Sequence, residues 1–303
     1  TIGSGSLTGL PANHADFDLP IANVLHTDAP SHFHHANPGE SVEAFTDRIV
    51  NNLESLILKE GPETVAAFIA EPVCGSGGVI VPPPGYYDRV QKILRKYDIL
   101  FIADEVICGF GRTGEMFGCE TFSIEPDIMT VAKALSSSYL PISATLVSEE
   151  IHEAMMEGSR RHGVFAHGVT YAGHPVCAAV ALETLKIYEE RDIVGHVKQV
   201  SRRFEQRLRA LGDHPLVGET RGIGLIGAIE VVSDKPGKTP FAPQLGIGPG
   251  IQAKAMEHGV IVRALRDAVA FCPPLIIKDA EVDQLFDAVE KALDETLDQV
   301  RAA

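Results

Sequence analysis

The sequence reads ILFIADEV at residues 99–106 and IMTVAK at residues 128–133. Each stretch is a short apolar run that leads to an ionisable side chain, and continuous apolar runs of this length are typical of buried parallel strands. The first run predicts a strand that delivers Asp104 at its carboxyl end, and the second predicts a strand that delivers Lys133. A carboxylate and an amine in these positions can hold one small molecule between them, so the fold and the site depend on the same two stretches.

Strand and helix patterns alternate along most of the chain. Further buried strands are predicted at residues 65–70 and 142–147, and helices at residues 41–59, 86–97, 174–191, 194–211 and 279–301. Short strands are predicted at residues 222–230, 260–263 and 268–271. The pattern predicts an α/β protein with a doubly wound, mainly parallel sheet in a large domain at residues 1–211 and a smaller α+β domain at residues 212–303.

Composition narrows the class of protein. The 303 residues carry a formal net charge of −15, which argues against nucleic acid or an anionic membrane surface as a partner. No run approaches the roughly 18 to 20 apolar residues that a membrane span needs. The five cysteines show no C-x-x-C spacing, so we expect reduced thiols in a cytoplasmic protein.

A series of motifs resembles the class III aminotransferases, which use pyridoxal 5'-phosphate (PLP) and have fold type I of the PLP-dependent enzymes. Residues 104–114 read DEVICGFGRTG, residues 126–128 read PDI, and Lys133 follows. The series also includes EPV at residues 71–73, HGVTYAGHP at residues 167–175 and RGIG at residues 221–224. The likeness covers essentially the whole chain and is greatest to omega-transaminases of the amine:pyruvate and beta-alanine:pyruvate types. It implies a homodimer with shared active sites, or a tetramer.

Family members carry an N-terminal portion ahead of the point at which this sequence begins. In the family, that portion supplies a Gly-Ser phosphate loop and aromatic residues that cover the cofactor ring. Residues 1–6 read TIGSGS, without an initiator methionine or a signal-peptide pattern, so we expect either a fragment or a natural protein that begins upstream. A catalytically silent fragment or binding module is therefore an alternative to an enzyme.

The resemblance gives Lys133 and Asp104 the central roles. Lys133 is the candidate Schiff-base nucleophile, because desolvation at the end of an apolar run favours the neutral amine that attacks an aldehyde. Asp104 is the candidate partner of the pyridine nitrogen, which a carboxylate keeps protonated through a charge-assisted hydrogen bond. The plain alternatives are a lysine that extends to the surface and an aspartate that caps a helix or joins an ion pair.

Three more residues are candidates for the cofactor site. Val106 lies two residues past Asp104, so strand alternation places both side chains on one face, where Val106 packs under the ring by resemblance or is ordinary core. Glu71 follows a buried strand and by resemblance supports the pocket, with a structural hydrogen bond as the alternative. Thr170 precedes a helix start, where free amides favour phosphate. The resemblance implies that Thr170 reaches the phosphate of the neighbouring subunit, and a helix N-cap is the alternative.

Substrate specificity is predicted from two further positions. Arg263 resembles the family's mobile arginine for the substrate carboxylate, and Arg266 is a competing assignment. Ser76 stands where members that use 2-oxoglutarate commonly carry a glutamate, which favours pyruvate as the acceptor. The predicted function is PLP-dependent transamination from an amine or omega-amino acid to pyruvate. The alternatives are an aminomutase, a dialkylglycine-type decarboxylase and a 2-oxoglutarate-linked transaminase.

Two other patterns are set aside. Residues 222–227 match G-x-G-x-x-G, but no helix is predicted to follow them, which argues against a dinucleotide site. His32, His34 and His35 lack a matching group of cysteines or carboxylates, so we expect a solvated loop and no metal.

Overall fold

Two sheets organise the computed structural model, which describes residues 2–302. The strands of the first sheet are β1 (Ala67–Ala70), β2 (Leu100–Asp104), β3 (Ile128–Val131) and β4 (Ala144–Val147), in that order across the sheet. The first three are parallel, and β4 is antiparallel to β3. The second sheet is antiparallel, in the order β5-β6-β8-β7, and its strands are β5 (Val217–Ile223), β6 (Ile226–Val231), β7 (Arg263–Leu265) and β8 (Ala268–Phe271). The α/β fold is confirmed.

The helices lie before, between and after these strands along the chain. They are α1 (Ile2–Leu7), α2 (His32–His35), α3 (Val42–Glu60), α4 (Tyr86–Lys96), α5 (Gly118–Thr121), α6 (Glu149–His162), α7 (Pro175–Glu190), α8 (Ile193–Ala210), α9 (Ile247–Glu257) and α10 (Asp279–Ala302). The five predicted helices correspond to α3, α4, α7, α8 and α10. The sequence did not predict α6, which buries none of its side chains in this chain.

Helices α3 and α4 cover the first sheet because both carry apolar residues at helical spacing. Ser41 caps α3 by accepting a hydrogen bond from the Ala44 N–H at 3.1 Å. The buried face of α3 includes Phe45 and Ile49, which belong to one core cluster with Tyr87 of α4 and strand β2. Burial of each such side chain contributes about 1.5–3 kcal/mol, so this cluster fixes the sheet against its helices.

Helices α8 and α10 cover the second sheet. Phe204 of α8 packs edge-to-face on Phe286 of α10, with 5.3 Å between the ring centroids, and Phe286 also contacts Phe271 of β8. Because α8 precedes residue 212, the core of the second sheet includes a helix from the larger predicted domain. The boundary between residues 211 and 212 stays a prediction.

The stretch predicted as one strand at residues 222–230 is instead the hairpin of β5 and β6, so that prediction is wrong in its connectivity. Gly224 makes the turn with φ at +60°, a conformation that favours glycine. A Cβ atom there would lie 2.5 Å from the Arg112 carbonyl oxygen. The predicted strand at residues 260–263 begins only at Arg263.

Within residues 2–302, no helix has both the length and the apolar character needed to cross a membrane. All five cysteines, Cys74, Cys108, Cys119, Cys177 and Cys272, are free thiols.

Candidate active site

Asp104 and Lys133 follow neighbouring strands at the same edge of the first sheet. Asp104 is the last residue of β2 and is in register with Thr130 of β3, three residues before Lys133. The Asp104 carboxylate is half-buried, and its Oδ1 accepts a hydrogen bond from the Val106 N–H at 3.0 Å. The predicted convergence of the two strand ends is therefore present in the fold.

Val106 reaches the site by a different route from the one predicted. Strand β2 ends at Asp104, and residues 106–110 form turns, so strand alternation does not apply to Val106. The side chain nevertheless lines the cavity described below. The turn that carries Val106 is stabilised by its own N–H bond to Asp104, which orients the carboxylate at the same time.

Lys133 is exposed in this chain, contrary to the expectation of a desolvated amine. It begins one turn of 3-10 helix, Lys133–Leu135, with φ at +44°, a left-handed value that costs a non-glycine residue about 1–2 kcal/mol. Leu135 is buried in the core and anchors the other end of the turn. The turn therefore directs the Lys133 side chain out of the sheet and towards the cavity. For this reason the amine is exposed although an apolar run precedes Lys133.

Glu71 completes a group of three charges. Its Oε2 accepts a hydrogen bond from the Gly75 N–H at 3.0 Å. Burial raises the pKa of Glu71 above its ordinary value; the Gly75 hydrogen bond lowers it, the Asp104 charge raises it, and the Lys133 charge lowers it. The influence of both Asp104 and Lys133 on this carboxyl group indicates that the ends of β1, β2 and β3 bring their side chains together.

A cavity of about 860 Å³ opens between the two sheets beside this group. Val106, Lys133, Ser76 and Arg263 are among its lining residues. Asp104 and Glu71 are not, but each hydrogen-bonds to a residue that is, through the N–H groups of Val106 and Gly75. Val106 and Lys133 thus line the cavity from the first sheet, with Asp104 and Glu71 directly behind the lining, and Arg263 lines it from the second sheet.

The charges that line the cavity are all positive. Its described lining includes Arg112, Lys133, Arg191 and Arg263 and no aspartate or glutamate, although the chain has 41 acidic and 26 basic residues. Among the described residues, none hydrogen-bonds to the guanidinium groups of Arg191 and Arg263. An acidic protein that gathers cations around one cavity favours an anionic ligand there.

The structure separates the two competing arginines. Arg263, the first residue of β7, lines the cavity, whereas Arg266 lies in the turn between β7 and β8 with φ at +59° and does not. Ser76 is exposed and lines the same cavity as Arg263, so the two positions used to predict the acceptor border one space.

Thr170 lies away from the cavity in an exposed segment before α7. It is not the N-cap of that helix: His174 is, and its Nδ1 accepts a hydrogen bond from the Val176 N–H at 3.3 Å. The alternative of a plain N-cap is therefore wrong for Thr170, because four residues separate it from the start of α7. Its contact with a neighbouring subunit's phosphate stays a prediction.

Arg112 has a structural role that sequence reasoning missed. Its Nη1 donates hydrogen bonds to the carbonyl oxygens of Leu225, in the β5–β6 turn, at 2.9 Å and of Pro273, after β8, at 2.6 Å. The Arg112 carbonyl in turn accepts a bond from the Leu225 N–H at 2.9 Å. Arg112 lies within the DEVICGFGRTG motif, so the sequence did single out its segment. A motif does not reveal, however, which distant carbonyl oxygens the Arg112 guanidinium bonds to.

The two patterns set aside in the sequence have structural explanations. The glycine pattern at residues 222–227 is a hairpin turn packed on Arg112, with no helix after it. The expected solvated loop is only partly correct, because His32–His35 form one helical turn and His34 contacts Ser31 at 2.8 Å and Glu230 at 3.2 Å. The described residues contain no group of three or more potential metal ligands.

A family model described as "Aminotransferase class-III" matches residues 1–293. "Gamma aminobutyrate transaminase 3, chloroplastic" of Solanum lycopersicum is 54% identical over 300 residues, which are 99% of this chain and 58% of that protein. "Vanillin aminotransferase" of Capsicum chinense is 52% identical over 293 residues, 97% of this chain and 64% of that protein. The chain thus spans less than two thirds of the length of either relative.

Two solved transaminase structures are also similar to this chain. The omega transaminase from Pseudomonas jessenii in complex with PMP is 53% identical and superposes with a TM-score of 0.97 over 99% of this chain and 66% of that chain. A structure titled "Transaminase with L-ala" is 52% identical, with a TM-score of 0.97 over 99% of this chain and 71% of that chain.

Proposed function

Because the chain belongs to the class III aminotransferases, we propose that it carries out PLP-dependent transamination, moving an amino group from an amine or omega-amino acid to pyruvate. One observation carries the proposal: Asp104 ends β2 and Lys133 lies two residues past the end of the neighbouring β3, beside a cavity whose charged lining is wholly cationic. The products are alanine and an aldehyde or ketone.

The residues present fit PLP on two counts. Asp104 Oδ1 is occupied by the Val106 N–H, and among the described residues none hydrogen-bonds to Oδ2, which leaves that oxygen for a protonated ring nitrogen. Lys133 is exposed on the cavity lining, where its amine is accessible to an aldehyde. The complex of the similar Pseudomonas jessenii enzyme with PMP supports the same cofactor.

Each residue then has a defined task. PLP supplies an aldehyde that binds amines and a ring that accepts electrons from the substrate carbon. Lys133 would hold the cofactor through Nζ, and its free amine would accept a proton from the substrate carbon. Asp104 would keep the ring nitrogen protonated, Val106 would contact the ring, and Glu71 would support the pocket. Val106 also holds the Asp104 carboxylate through its backbone N–H.

Acceptor choice follows from Arg263 and Ser76. The Arg263 guanidinium has no carboxylate partner among the described residues, so it is available to bind the carboxylate of pyruvate in a bidentate geometry. A glutamate at position 76 would compete for it, and this chain has serine there. The names of the relatives suggest γ-aminobutyrate as a donor; its carboxylate is compatible with the cationic cavity.

A homodimer with shared sites, and possible assembly into a tetramer, belongs to the same proposal. Thr170 lies outside the cavity of its own chain, and the neighbouring Val169 and Tyr171 are 76% and 81% exposed. An exposed apolar segment around a residue with no role in its own cavity favours contact with a second copy. Cytoplasmic localisation is proposed from the free cysteines alone.

The test is a donor panel of γ-aminobutyrate, beta-alanine and aryl amines, each incubated with pyruvate, PLP and the protein. Alanine formation that depends on both donor and PLP is expected. Carbon dioxide release without alanine would identify a decarboxylase instead. A protein that retains no PLP after dialysis and forms no alanine would overturn the proposal.

A further inference from the structure

Tyr188 contacts the turn that carries Lys133. The Tyr188 hydroxyl, on the last part of α7, donates a hydrogen bond to the carbonyl oxygen of Ala134 at 3.1 Å. Ala134 is the residue directly after Lys133. Tyr188 is only 7% exposed, so water competes little for this bond. A side chain from a distant helix is therefore bonded to the centre of the Lys133–Leu135 turn.

The turn needs such support because its backbone is strained. Lys133, Ser137 and Ser138 all have positive φ angles, at +44°, +47° and +63°, which non-glycine residues disfavour. Within the turn, the Lys133 carbonyl accepts bonds from the N–H groups of Ser136 and Ser138 at 3.2 and 3.3 Å. The Ala134 carbonyl accepts bonds from the N–H groups of Ser136 and Ser137, the latter at 3.2 Å, and a further bond from the Tyr188 hydroxyl. Strain of this kind persists only where surrounding contacts hold it.

The ring of Tyr188 also contacts the segment that follows Asp104. It stacks on Phe110, with 6.2 Å between the centroids and 24° between the ring planes. Phe110 is buried, has φ at +64°, and its N–H donates to the Met116 carbonyl at 2.6 Å. One tyrosine thus joins the segments that follow both ionisable residues of the site.

We propose that Tyr188 is a positioning residue that holds the Lys133 amine in place relative to Asp104. The inference rests on the proposed function. Proton transfer depends on the placement of the base, and small displacements of a reacting group lower its rate steeply. Without the hydroxyl, the turn loses its only side-chain hydrogen bond to α7 among the described residues, and Lys133 Nζ samples a wider range of positions.

The test compares Tyr188→Phe with wild-type holoenzyme. This change keeps the stacked ring and removes only the hydroxyl. We expect kcat per bound cofactor to fall about 3- to 10-fold, the range that the loss of one hydrogen bond supports, with KM for pyruvate unchanged. A second readout does not depend on turnover: the pH midpoint of the bound cofactor's visible absorption is expected to shift, because Lys133 holds that cofactor.

Tyr97→Phe is the matched control. It also removes one hydrogen-bonded hydroxyl. The Tyr97 hydroxyl, directly after α4, donates to Glu54 at 2.8 Å, and neither residue lines the cavity. Its kcat and absorption midpoint should equal those of the wild type. If Tyr188→Phe lowers the thermal unfolding midpoint but leaves kcat per cofactor and the absorption midpoint unchanged, the tyrosine is only structural and the inference is overturned.

Two further outcomes are informative. If Tyr188→Phe does not accumulate as folded protein, Phe110→Leu takes its place. Without the stacked ring, the Tyr188 hydroxyl is expected to lose its alignment on the Ala134 carbonyl, so an unchanged absorption midpoint there overturns the inference. A wild-type protein with neither a cofactor band nor alanine formation overturns the proposed function, and this inference falls with it. If the wild type is active and only Tyr188→Phe or Phe110→Leu is impaired, the result bears on the role of Tyr188 and leaves the proposed function intact.

Discussion

Asp104 on β2 is in parallel register with Thr130 on β3, and Lys133 follows Thr130 by three residues. This register sets the distance along the sheet edge between the carboxylate and the amine. A shift of one residue would turn alternate side chains of a strand to the opposite face, which would carry Asp104 away from the site. The pairing of two short strands therefore determines the geometry of the chemistry.

Lys133→Ala is expected to lower the transamination rate at least about 100-fold, because it removes both the covalent anchor and the base. Lys96→Ala, which loses an ion pair with Glu54 on the surface, should keep wild-type activity. Borohydride treatment of the holoenzyme followed by peptide mapping should place the cofactor on Lys133. A label on any other lysine contradicts the assignment.

Asp104→Asn is expected to weaken cofactor binding roughly 10- to 100-fold, since a hydrogen bond to a charged group contributes about 1.5–3 kcal/mol. The asparagine oxygen can still accept the Val106 N–H, so the thermal unfolding midpoint should change little. Titration of the cofactor-free variant with PLP, followed by absorbance, measures the effect. Wild-type affinity in the variant would mean that Asp104 only supports the turn.

Arg263→Gln is expected to raise KM for pyruvate roughly 10- to 100-fold with a smaller effect on kcat, because a charged carboxylate contact is lost. Arg266→Gln, three residues away and outside the cavity, is the paired control and should leave KM unchanged. Initial rates at varied pyruvate concentration distinguish the two. The reverse result would transfer the substrate role to Arg266.

Glu71→Gln is expected to change how stability depends on pH. The folded-state pKa of Glu71 is raised, mainly by burial, so the folded state binds the proton more tightly than the unfolded chain does. The stability that Glu71 contributes is therefore present below its unfolded pKa of about 4.3 and is lost as pH rises through the folded-state pKa.

The glutamine variant cannot titrate and can still accept the Gly75 N–H. Its free energy of unfolding relative to wild type should increase from about pH 4 to neutral pH, as measured by urea denaturation. A difference that does not vary with pH would show that Glu71 has an unshifted pKa.

The sequence predicted the strands and helices that combine periodicity with clear ends, such as α3 with its Ser41 cap. It missed α9, whose first residues read IGPG and so carry the residues that usually interrupt helices. It also placed Val106 on a strand that had already ended. Strand ends depend on where pairing with a neighbour stops, and that information is not local to the chain.

The site was predictable as a set of residues but not in its exposure or its supports. The apolar run before Lys133 indicated a buried amine, whereas a left-handed turn directs it outwards. Tyr188 and Arg112 act through backbone carbonyls far away in the sequence, of Ala134 and of Pro273. Carbonyl acceptors have no side-chain signature, so no pattern of residue types could reveal them.

The double attachment of Arg112 bears on how far the second sheet can move relative to the segment that follows Asp104. Its guanidinium is bonded to the turn after β5 and to the segment after β8, the two strands that flank β6 in the second sheet. Rocking of that sheet away from its neighbour would have to break both bonds at once. The two hydrogen bonds therefore resist widening of the space between the sheets, and a larger opening there would require the loss of both.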